Sequence, residues 1–278
     1  MSVGLHIRHG SPQWWESPDI WVVPGQDPNG PPGSPVVGQT AFLWARVWAD
    51  QDVQGVQLDF WVANPAMQIR KSSANHIGTA FADIQAPGPQ EVLCLAPWNV
   101  TLINGGHECV VVEASSTLDP LTPPPTDPDV LDANTYPQIA QRNLSVISLA
   151  GQLRREVLLT VTAGLRAAKR VEIQAEVGGE LPEETLASLG LRDHKASARE
   201  IRATLTEHSL CHSSEQAAER GLGLDVPAGT SKPVYVNVSA AEQLRPGEYG
   251  LVRVTEQDPD GVLGGLTLVA VNTEGKKR

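Results

Sequence analysis

The segment "EHSLCH" holds the side chains of this sequence that are best suited to bind a metal ion. Glu207, His208, Cys211 and His212 fall within six positions. On a helix, His208 and His212 would lie one turn apart on one face, with Cys211 beside them. Imidazole nitrogen and thiolate sulfur are good zinc ligands. The cluster therefore suggests a zinc site, and with Glu207 it would support a metal-dependent hydrolase.

The spacing of these side chains argues against a zinc site. It matches none of the common zinc motifs, and the neighbouring sequence offers no evident fourth ligand. We therefore favour a polar loop or helix end with a half-buried Cys211, and we keep the metal-dependent hydrolase as the alternative function.

A second pair of potential ligands, His107 and Cys109, follows two glycines in "GGHECVVVEA". In a β-strand, residues two apart share one face. With Cys94 from a neighbouring strand and with His76, the pair would complete a four-ligand zinc site. The interpretation that we favour places Cys109 in the core and His107 at the end of a strand.

The three cysteines, Cys94, Cys109 and Cys211, are too few for a disulfide framework, and their number is odd. One bridge between Cys94 and Cys109 remains open in an oxidising compartment. We expect buried thiols that act as small hydrophobic side chains.

Aspartates suited to calcium stand at two places. Asp127, Asp129 and Asp132 lie in the proline-rich stretch "STLDPLTPPPTDPDVLDANTYP", residues 116–137. Calcium takes several oxygen ligands, but this stretch lacks the glycine turn and the final glutamate of a calcium loop. Proline fixes φ and removes a backbone donor, so the stretch predicts an extended linker. The second place, "DPDG" at 258–261, predicts a hairpin turn.

The sequence contains no nucleophile elbow, zinc-protease, dinucleotide-binding or phosphate-loop motif. We therefore predict a protein that is not an enzyme and has no cofactor, with zinc or calcium at the clusters above as the alternative. Basic side chains number 21 against 32 acidic ones, which gives a net charge of −11. An acidic surface repels nucleic-acid phosphates and anionic lipids, so the expected partner is a protein.

Two further features concern location. No apolar run approaches the roughly 20 residues that span a bilayer, so no membrane insertion is predicted. The start "MSVGLHIRHGSPQWW" lacks the basic and apolar regions of a classical signal peptide. We expect a cytoplasmic protein or one exported by a non-classical route.

The elements that must position these residues are mostly β-strands. Residues 38–50 alternate between a face with Phe42, Trp44, Arg46 and Trp48 and a face of smaller apolar side chains, and residues 55–65 also alternate. A period of two over this length is typical of strands. Short strands bounded by Gly, Pro or Asn predict antiparallel β-sandwiches, in which two facing sheets bury the aromatic side chains.

Composition divides the chain in two. All seven tryptophans precede residue 99, and residues 1–133 hold 4 basic and 14 acidic side chains, while residues 134–278 hold 17 and 18. Two composition regimes predict two domains. We place the domains at 1–115 and 138–278, joined by the linker 116–137.

The second half repeats the short-strand pattern, with one interruption at about 181–221. There "PEETLASLG" has a proline at a helix start and a glycine at its end, and "SAREIRATLTEHS" fits a helix or a strand. We therefore predict a partly helical insertion in the second β-sandwich. Insertions between framework strands often carry binding residues.

The runs "PVVGQTAFLWARVWADQDVQGVQLDFWVANP" and "GGHECVVVEAS" resemble the Ig-like, CARDB-type modules of bacterial surface and extracellular proteins. "PAGTSKPVYVNVSA" and the later "LRPGEYGLVRV" are similar to the closing strands of Ig-like domains of the CARDB and NEW3 kind. The resemblance implies two Ig-like β-sandwich modules, with Tyr249 hydrogen-bonded to the main chain as in a tyrosine corner. It implies a fold rather than a reaction.

The function that follows is non-catalytic binding or assembly, in which Ig-like domains hold a protein partner in a bacterial surface, phage-tail-like or secretion-associated assembly. Trp14 and Trp15 form either a plug over one end of a sandwich, which we favour, or a contact surface. A third alternative is a carbohydrate-binding sandwich that stacks sugars on Trp14, Trp15 or Trp61. The sequence does not determine the identity of the partner or the oligomeric state.

Overall fold

The structure is a computed structural model that describes residues 3–63, 69–101, 109–149, 153–164, 167–209 and 220–272. Within these ranges the chain is mainly β, with several antiparallel sheets and one short helix. It forms two compact units. The first contains the described residues up to Asn143 together with Glu183–Arg192, and the second contains Leu144–Pro182 and the described residues from Asp193 onward. No helix in the described ranges is long and apolar enough to pass through a bilayer.

The strands of the first unit form two antiparallel sheets. The elements are β1 (Ile20–Pro24), β2 (Thr40–Val47), β3 (Val53–Ala63), β4 (Asn75–Ile84), β5 (Gln90–Leu93), β6 (Trp98–Asn99), β7 (Cys109–Ser115), β8 (Ile139–Arg142) and the helix α1 (Glu183–Ser188). One sheet has the order β1-β2-β5, with β6 also beside β2, and the other has the order β4-β3-β7-β8. The strands predicted from two-residue alternation are confirmed.

The core of the first unit lies between these two sheets. Each strand contributes one face to it, because residues two apart in a strand point the same way. The buried positions alternate along the two longest predicted strands, β2 and β3. They are Ala41, Leu43, Ala45, Val47, Val56, Leu58, Phe60 and Val62.

The aromatic side chains of β2 lie on the outer face of the sheet, so the prediction that facing sheets bury them is wrong. Phe42, Trp44 and Trp48 are half-buried there. Trp44 stacks on Trp21 of β1 with ring centroids 5.7 Å apart, and the Arg46 guanidinium lies 4.8 Å from the centre of the Trp21 ring. Strand β2 thus turns its aliphatic side chains toward the other sheet, while stacking and cation–π contacts stabilise the indoles outside.

The proline-rich stretch 116–137 belongs to the first unit, and the chain leaves that unit only after Asn143. Leu131 and Tyr136 are buried, and the Tyr136 hydroxyl donates a hydrogen bond to the Pro123 carbonyl at 2.8 Å. Strand β8 then adds to the edge of β7. The structure therefore differs from the predicted linker. Proline prevents regular strand pairing, but it does not prevent neighbouring apolar side chains from packing.

The second unit also has two sheets around one core. Its strands are β9 (Leu144–Ser148), β10 (Arg154–Thr162), β11 (Lys169–Val177), β12 (Lys195–Ala196), β13 (Ile201–Thr206), β14 (Gly221–Val226), β15 (Ser231–Ala240), β16 (Glu248–Asp258) and β17 (Gly261–Val271). The sheet orders are β10-β15-β13 and β14-β11-β16-β17-β9, with β12 beside β16. Strand β9 pairs with β17 in parallel, whereas β16 and β17 form an antiparallel hairpin.

One predicted detail of the second unit, the hairpin turn at 258–261, is confirmed, whereas the contact made by Tyr249 differs from that of a tyrosine corner. At the tip of the hairpin, one carboxylate oxygen of Asp258 accepts hydrogen bonds from the backbone N–H groups of Asp260 and Gly261, at 2.9 and 3.0 Å. Tyr249 is buried, and its hydroxyl accepts a hydrogen bond from the Leu181 backbone N–H at 3.1 Å. The tyrosine thus binds the main chain, but of a segment far away in sequence.

The predicted partly helical insertion at about 181–221 is wrong in its main feature. Helix α1 spans only the six residues Glu183–Ser188 and belongs to the first unit. Strand β13, Ile201–Thr206, is a framework strand that pairs antiparallel with β15. Every second residue from Ile201 to Leu205 is buried. The segment therefore follows the two-residue period of a strand and not the 3.6-residue period of a helix.

Candidate functional site

The predicted zinc ligands of "EHSLCH" are only partly within the described residues. Cys211 and His212 lie outside them, so this site stays a prediction. His208 comes just after β13, and the Glu207 carboxylate lies 3.5 Å from the ammonium of Lys232. In the described ranges, no group of three or more His, Cys, Asp or Glu side chains is arranged to hold a metal ion.

The other predicted zinc site is not assembled by the residues that the structure describes. Cys94 and Cys109 are buried free thiols with no bridge between them. Burial raises the pKa of both thiols, and zinc binds the thiolate form. His76 hydrogen-bonds to Asp59 at 3.1 Å, and His107 lies outside the described residues. Cys109 thus lies in the interior, as the favoured interpretation has it.

The aspartates proposed for calcium are engaged with protein groups. The Arg70 guanidinium lies 2.9 Å from Asp127 and 3.3 Å from Asp129. Asp129 also accepts a hydrogen bond from the Ser72 hydroxyl at 2.7 Å, and the hydrogen bonds from Ser72 lower the pKa of Asp129. Asp132 accepts hydrogen bonds from two backbone N–H groups of the following turn. Arg70 therefore balances the negative charge of Asp127 and Asp129, which a calcium ion would otherwise balance.

The tryptophans predicted as contact residues are poorly accessible. Trp15 is buried, and Trp14 packs edge-on against it with ring centroids 5.6 Å apart. This arrangement fits the plug rather than a contact surface. Trp61 is half-buried, with its ring centre 4.5 Å from that of His76, and its buried indole nitrogen has no hydrogen-bond partner among the described residues. Trp15 is therefore not accessible for stacking a sugar, and Trp14 and Trp61 each have a ring contact with a neighbouring aromatic side chain.

Trp61 lies beside a cluster of hydrogen-bonded polar side chains on the outer face of β3 and β4, centred on Asp59. The Asp59 carboxylate accepts hydrogen bonds from the Thr79 hydroxyl at 2.5 Å and the Gln57 amide at 2.7 Å, and it also bonds to His76. Burial alone would raise the pKa of Asp59, but these three hydrogen bonds together lower it. Both carboxylate oxygens of Asp59 therefore accept hydrogen bonds from neighbouring side chains.

Among the strands that the structure describes, β4 is an edge strand. It spans ten residues, "NHIGTAFADI", pairs with β3 on one side and ends its sheet on the other. An edge strand leaves alternate N–H and C=O groups unpaired. Lysine and proline are common devices that stop another chain from pairing, and β4 has neither. The edge strand β10 of the second unit, by contrast, begins with Arg154 and Arg155.

A groove of about 580 Å³ lies beside this edge. Thr79–Asp83 of β4 line it on one side, and Gln90–Leu93 of β5 line it on the other, together with Leu95. Strand β5 is likewise the last strand of its sheet. The edges of the two sheets therefore lie next to each other here, and we call this surface, formed by Thr79–Asp83, Gln90–Leu93 and Leu95, the open side.

The open side carries exposed apolar side chains. Phe81 is 69% exposed and Leu95 is 80% exposed, the two highest values among the large hydrophobic residues that the structure describes. On the inner face of β4, Ala80 and Ala82 pack partly buried against the core. An exposed apolar surface next to an unpaired strand edge is typical of a protein-binding site.

Gly78 marks one end of the open side. A Cβ atom at this position would lie 2.8 Å from the Cβ of Ala96 and 3.1 Å from the sulfur of Cys94. The backbone of β4 therefore touches the segment that follows β5, and only glycine permits this approach. The residues that line the groove begin directly after this contact, at Thr79.

Reasoning from the sequence missed Phe81 and Leu95. The segment "HIGTAFADI" is recognisable as a strand, and Asp83 is its only acidic residue. So few charged side chains on a strand are a weak sign of a surface that contacts another protein. The strand order decides which strands end a sheet, and local alternation does not contain that information.

No family model matches the chain, and no curated protein matches it. The resemblance to CARDB and NEW3 modules therefore stays a prediction. Among solved structures, the chain is similar to the CupB6 tip adhesin from Pseudomonas aeruginosa, at 9% identity over 92% of this chain and 99% of that one, with a TM-score of 0.29. It is similar to the CFA/I adhesin CfaE of enterotoxigenic E. coli, at 8% identity over 98% and 91%, with a TM-score of 0.27.

A third similar structure is the CsuC–CsuE chaperone–tip adhesion subunit complex of Acinetobacter baumannii, at 13% identity and a TM-score of 0.24. The match covers 47% of this chain and spans 54% of the length of the matched chain. Likenesses at these TM-scores establish neither a common fold nor a common function.

Proposed function

We propose that this chain is a non-catalytic binding or assembly protein that engages a protein partner through the open side of its first unit. The observation that carries the proposal is the edge of β4 over Thr79–Asp83, which no other described strand pairs with, beside the exposed side chains of Phe81 and Leu95. A partner would cover the apolar side chains and satisfy the unpaired backbone groups in one step.

The charge of the first unit supports a basic partner. Residues 1–133 hold 14 acidic side chains and 4 basic ones, and Asp83 and Glu91 are exposed beside the groove. Complementary charge speeds encounter and selects partners of opposite sign. We propose that the protein belongs to a bacterial surface, phage-tail-like or secretion-associated assembly. It would act in the cytoplasm or be exported by a non-classical route.

The alternatives have less support among the described residues. The hydrolase needs Cys211 and His212, which lie outside those residues. The carbohydrate-binding alternative needs accessible indoles, and Trp15 is buried while Trp61 packs against His76. The open side offers instead an aliphatic and backbone surface, which suits a polypeptide.

We expect Phe81→Ser and Leu95→Ser each to weaken binding of the native partner about ten-fold, because each removes an exposed apolar contact worth on the order of 1.5 kcal/mol. The partner would be copurified from the native host and identified, and the complex rebuilt from purified components. Titration calorimetry on the rebuilt complex then gives the dissociation constant for each variant.

Leu153→Ser is the matched control, since Leu153 is also an exposed leucine, at 48%, but lies in the second unit. The control should bind as the unmodified chain does. All three variants should unfold within about 0.5 kcal/mol of it, because exposed positions away from packing contribute little to stability. Unchanged affinity in both Phe81→Ser and Leu95→Ser would refute the proposed function.

A further inference from the structure

We infer that the partner contributes an extended strand that adds to the free edge of β4, with aliphatic side chains facing the sandwich and basic side chains facing outward. The inference rests on the proposed function, because it names the chemistry of the partner at the same open side.

The backbone of β4 supplies the first argument. Its residues pair with β3 from Val53↔Ile84 to Val62↔Asn75, and no other described strand pairs with it. Alternate N–H and C=O groups on the far side therefore point away from the sheet. Between the two register shifts of this ladder, from Gly78 to Ala82, these groups form a regular row. The row matches the spacing of another strand and does not match a helix, whose own backbone groups are already paired.

The inner face of the edge selects aliphatic side chains. Ala80 and Ala82 are small and only partly buried against the core, and Val92 of β5 lines the same groove. A strand beside β4 directs every second side chain toward this floor. Valine or isoleucine at those positions would remove apolar surface from water at about 25 cal/mol per Å², whereas a polar side chain there would lose its solvation.

The outer face of the edge selects basic side chains. Thr79, Phe81 and Asp83 are exposed on that face of β4. A lysine or arginine on a neighbouring strand lies within reach of both the Phe81 ring and the Asp83 carboxylate, so cation–π and ionic contacts reinforce each other. Glu91 across the groove is paired with Arg46 at 2.9 Å, but it adds to the acidic surroundings.

The same charge argues against a second copy of this chain as the occupant. Two β4 edges brought together would juxtapose two first units, each with the large acidic excess of residues 1–133. Like charges across an interface oppose association. A basic strand from another protein meets no such repulsion.

The test uses the full-length chain and a synthetic peptide of about nine residues in which valine alternates with lysine. A control peptide of the same composition groups its valines at one end. Two further peptides carry backbone N-methyl groups, on all valines in one and on all lysines in the other. In a strand, all valines point their N–H groups to one side and all lysines to the opposite side, so only one of the two methylated peptides loses the hydrogen bonds to β4.

We expect the alternating peptide to bind saturably, as followed by fluorescence anisotropy, and Phe81→Ser to weaken it. One methylated peptide should lose about ten-fold or more in affinity, while the other stays within about three-fold of the parent. Equal binding of the two methylated peptides would overturn the inference, as would equal binding of the grouped peptide or no saturable binding at all.

Self-association of the chain that Phe81→Ser abolishes would also overturn the inference, because the occupant would then be a second copy. In each of these cases the proposed function is judged separately, by the response of the native partner to Phe81→Ser and Leu95→Ser. Failure of the inference and failure of the proposed function are therefore distinguishable.

Discussion

Asp19→Ala is expected to lower the free energy of unfolding by about 3 kcal/mol, because it removes the buried carboxylate that accepts hydrogen bonds from Arg8 and Trp48. Asp19 is fully buried. Its carboxylate lies 2.6 Å from one guanidinium nitrogen of Arg8 and 2.9 Å from another. It also accepts a hydrogen bond from the Trp48 indole N–H at 2.8 Å.

The expected loss of stability in Asp19→Ala has two causes. The Trp48 indole N–H and the Arg8 backbone N–H, which donates to Asp19 at 3.1 Å, both lose their acceptor, and an unsatisfied buried donor costs about 1–3 kcal/mol. The Arg8 guanidinium, stacked 5.0 Å from the centre of the Trp48 ring, loses its buried counter-ion, although it is partly exposed and water offsets some of that loss.

Urea unfolding of the purified variant measures this effect. The control is Asp225→Ala, since Asp225 faces Arg170 at 3.8 Å with both side chains more than 80% exposed. Exposed pairs of this kind contribute about 0–1 kcal/mol, so the control should be nearly as stable as the unmodified chain. If Asp19→Ala cost no more than the control, the buried carboxylate would have no stabilising role.

Lys169→Met is expected to lower the free energy of unfolding by about 3 kcal/mol at pH 8 and by clearly less at pH 4.5. Glu256 is buried at 1% exposure and forms an ion pair with Lys169. Burial raises the pKa of Glu256 and the neighbouring lysine lowers it, with a net increase. Removing the lysine therefore leaves a buried carboxylate whose pKa rises further.

The pH dependence follows from the sign of that shift. A carboxyl group whose pKa is higher in the folded than in the unfolded chain favours folding when it is protonated, and this advantage is lost as pH rises through the folded-state pKa. The deficit of Lys169→Met should thus grow between pH 4.5 and pH 8. The double variant with Glu256→Gln should recover most of it, because no buried charge remains.

Urea unfolding at both pH values decides between this account and a purely steric one. A deficit of equal size at pH 4.5 and pH 8 would mean that the variant acts through lost packing of the lysine stem rather than through the charge of Glu256. Failure of Glu256→Gln to restore stability at pH 8 would lead to the same conclusion.

The strands were largely predictable because their cause is local. Alternation over residues 38–50 and 55–65 corresponds to β2 and β3, and the Asp-Gly turn at 260–261 corresponds to the tip of the β16–β17 hairpin. A two-residue period and a turn residue that tolerates positive φ act within a few positions. Such signals do not require knowledge of the tertiary structure.

The orientation of β2 was hard to predict, because the aromatic side chains Phe42 and Trp44 dominate the face that turns out to be the outer one. Arg46, on the same face, is its only charged side chain and was the one local sign that this face meets solvent. The structure buries the smaller side chains and places the indoles outside. The stacking of Arg46 on Trp21, which joins two strands, helps to stabilise this choice, and a local pattern cannot reveal it.

The proline-rich stretch shows a second limit of the sequence. Its prolines correctly argue against regular secondary structure, but Leu131 and Tyr136 pack into the first unit. Apolar side chains that are spaced irregularly have no period to detect. The first compact unit therefore continues to Asn143, beyond the point at which the composition changes.

The open side could be predicted only in part. The sequence identifies β4 as a strand with few charges, and the acidic first half favours a basic partner. That β4 and β5 both end their sheets depends on the strand order, which arises from pairings distant in sequence. Trp14, Trp15 and Trp61 were predicted as contact residues because tryptophan is frequent at interfaces. In this chain, packing covers these three side chains more than it covers Phe81.

Hydrogen–deuterium exchange of the purified chain, alone and with its native partner, tests most directly whether the open side is the binding surface. We predict that the partner slows exchange of the backbone amides of β4, residues 75–84, and leaves those of β10, residues 154–162, unchanged. Slowed exchange in the second unit with no change in β4 would contradict the account.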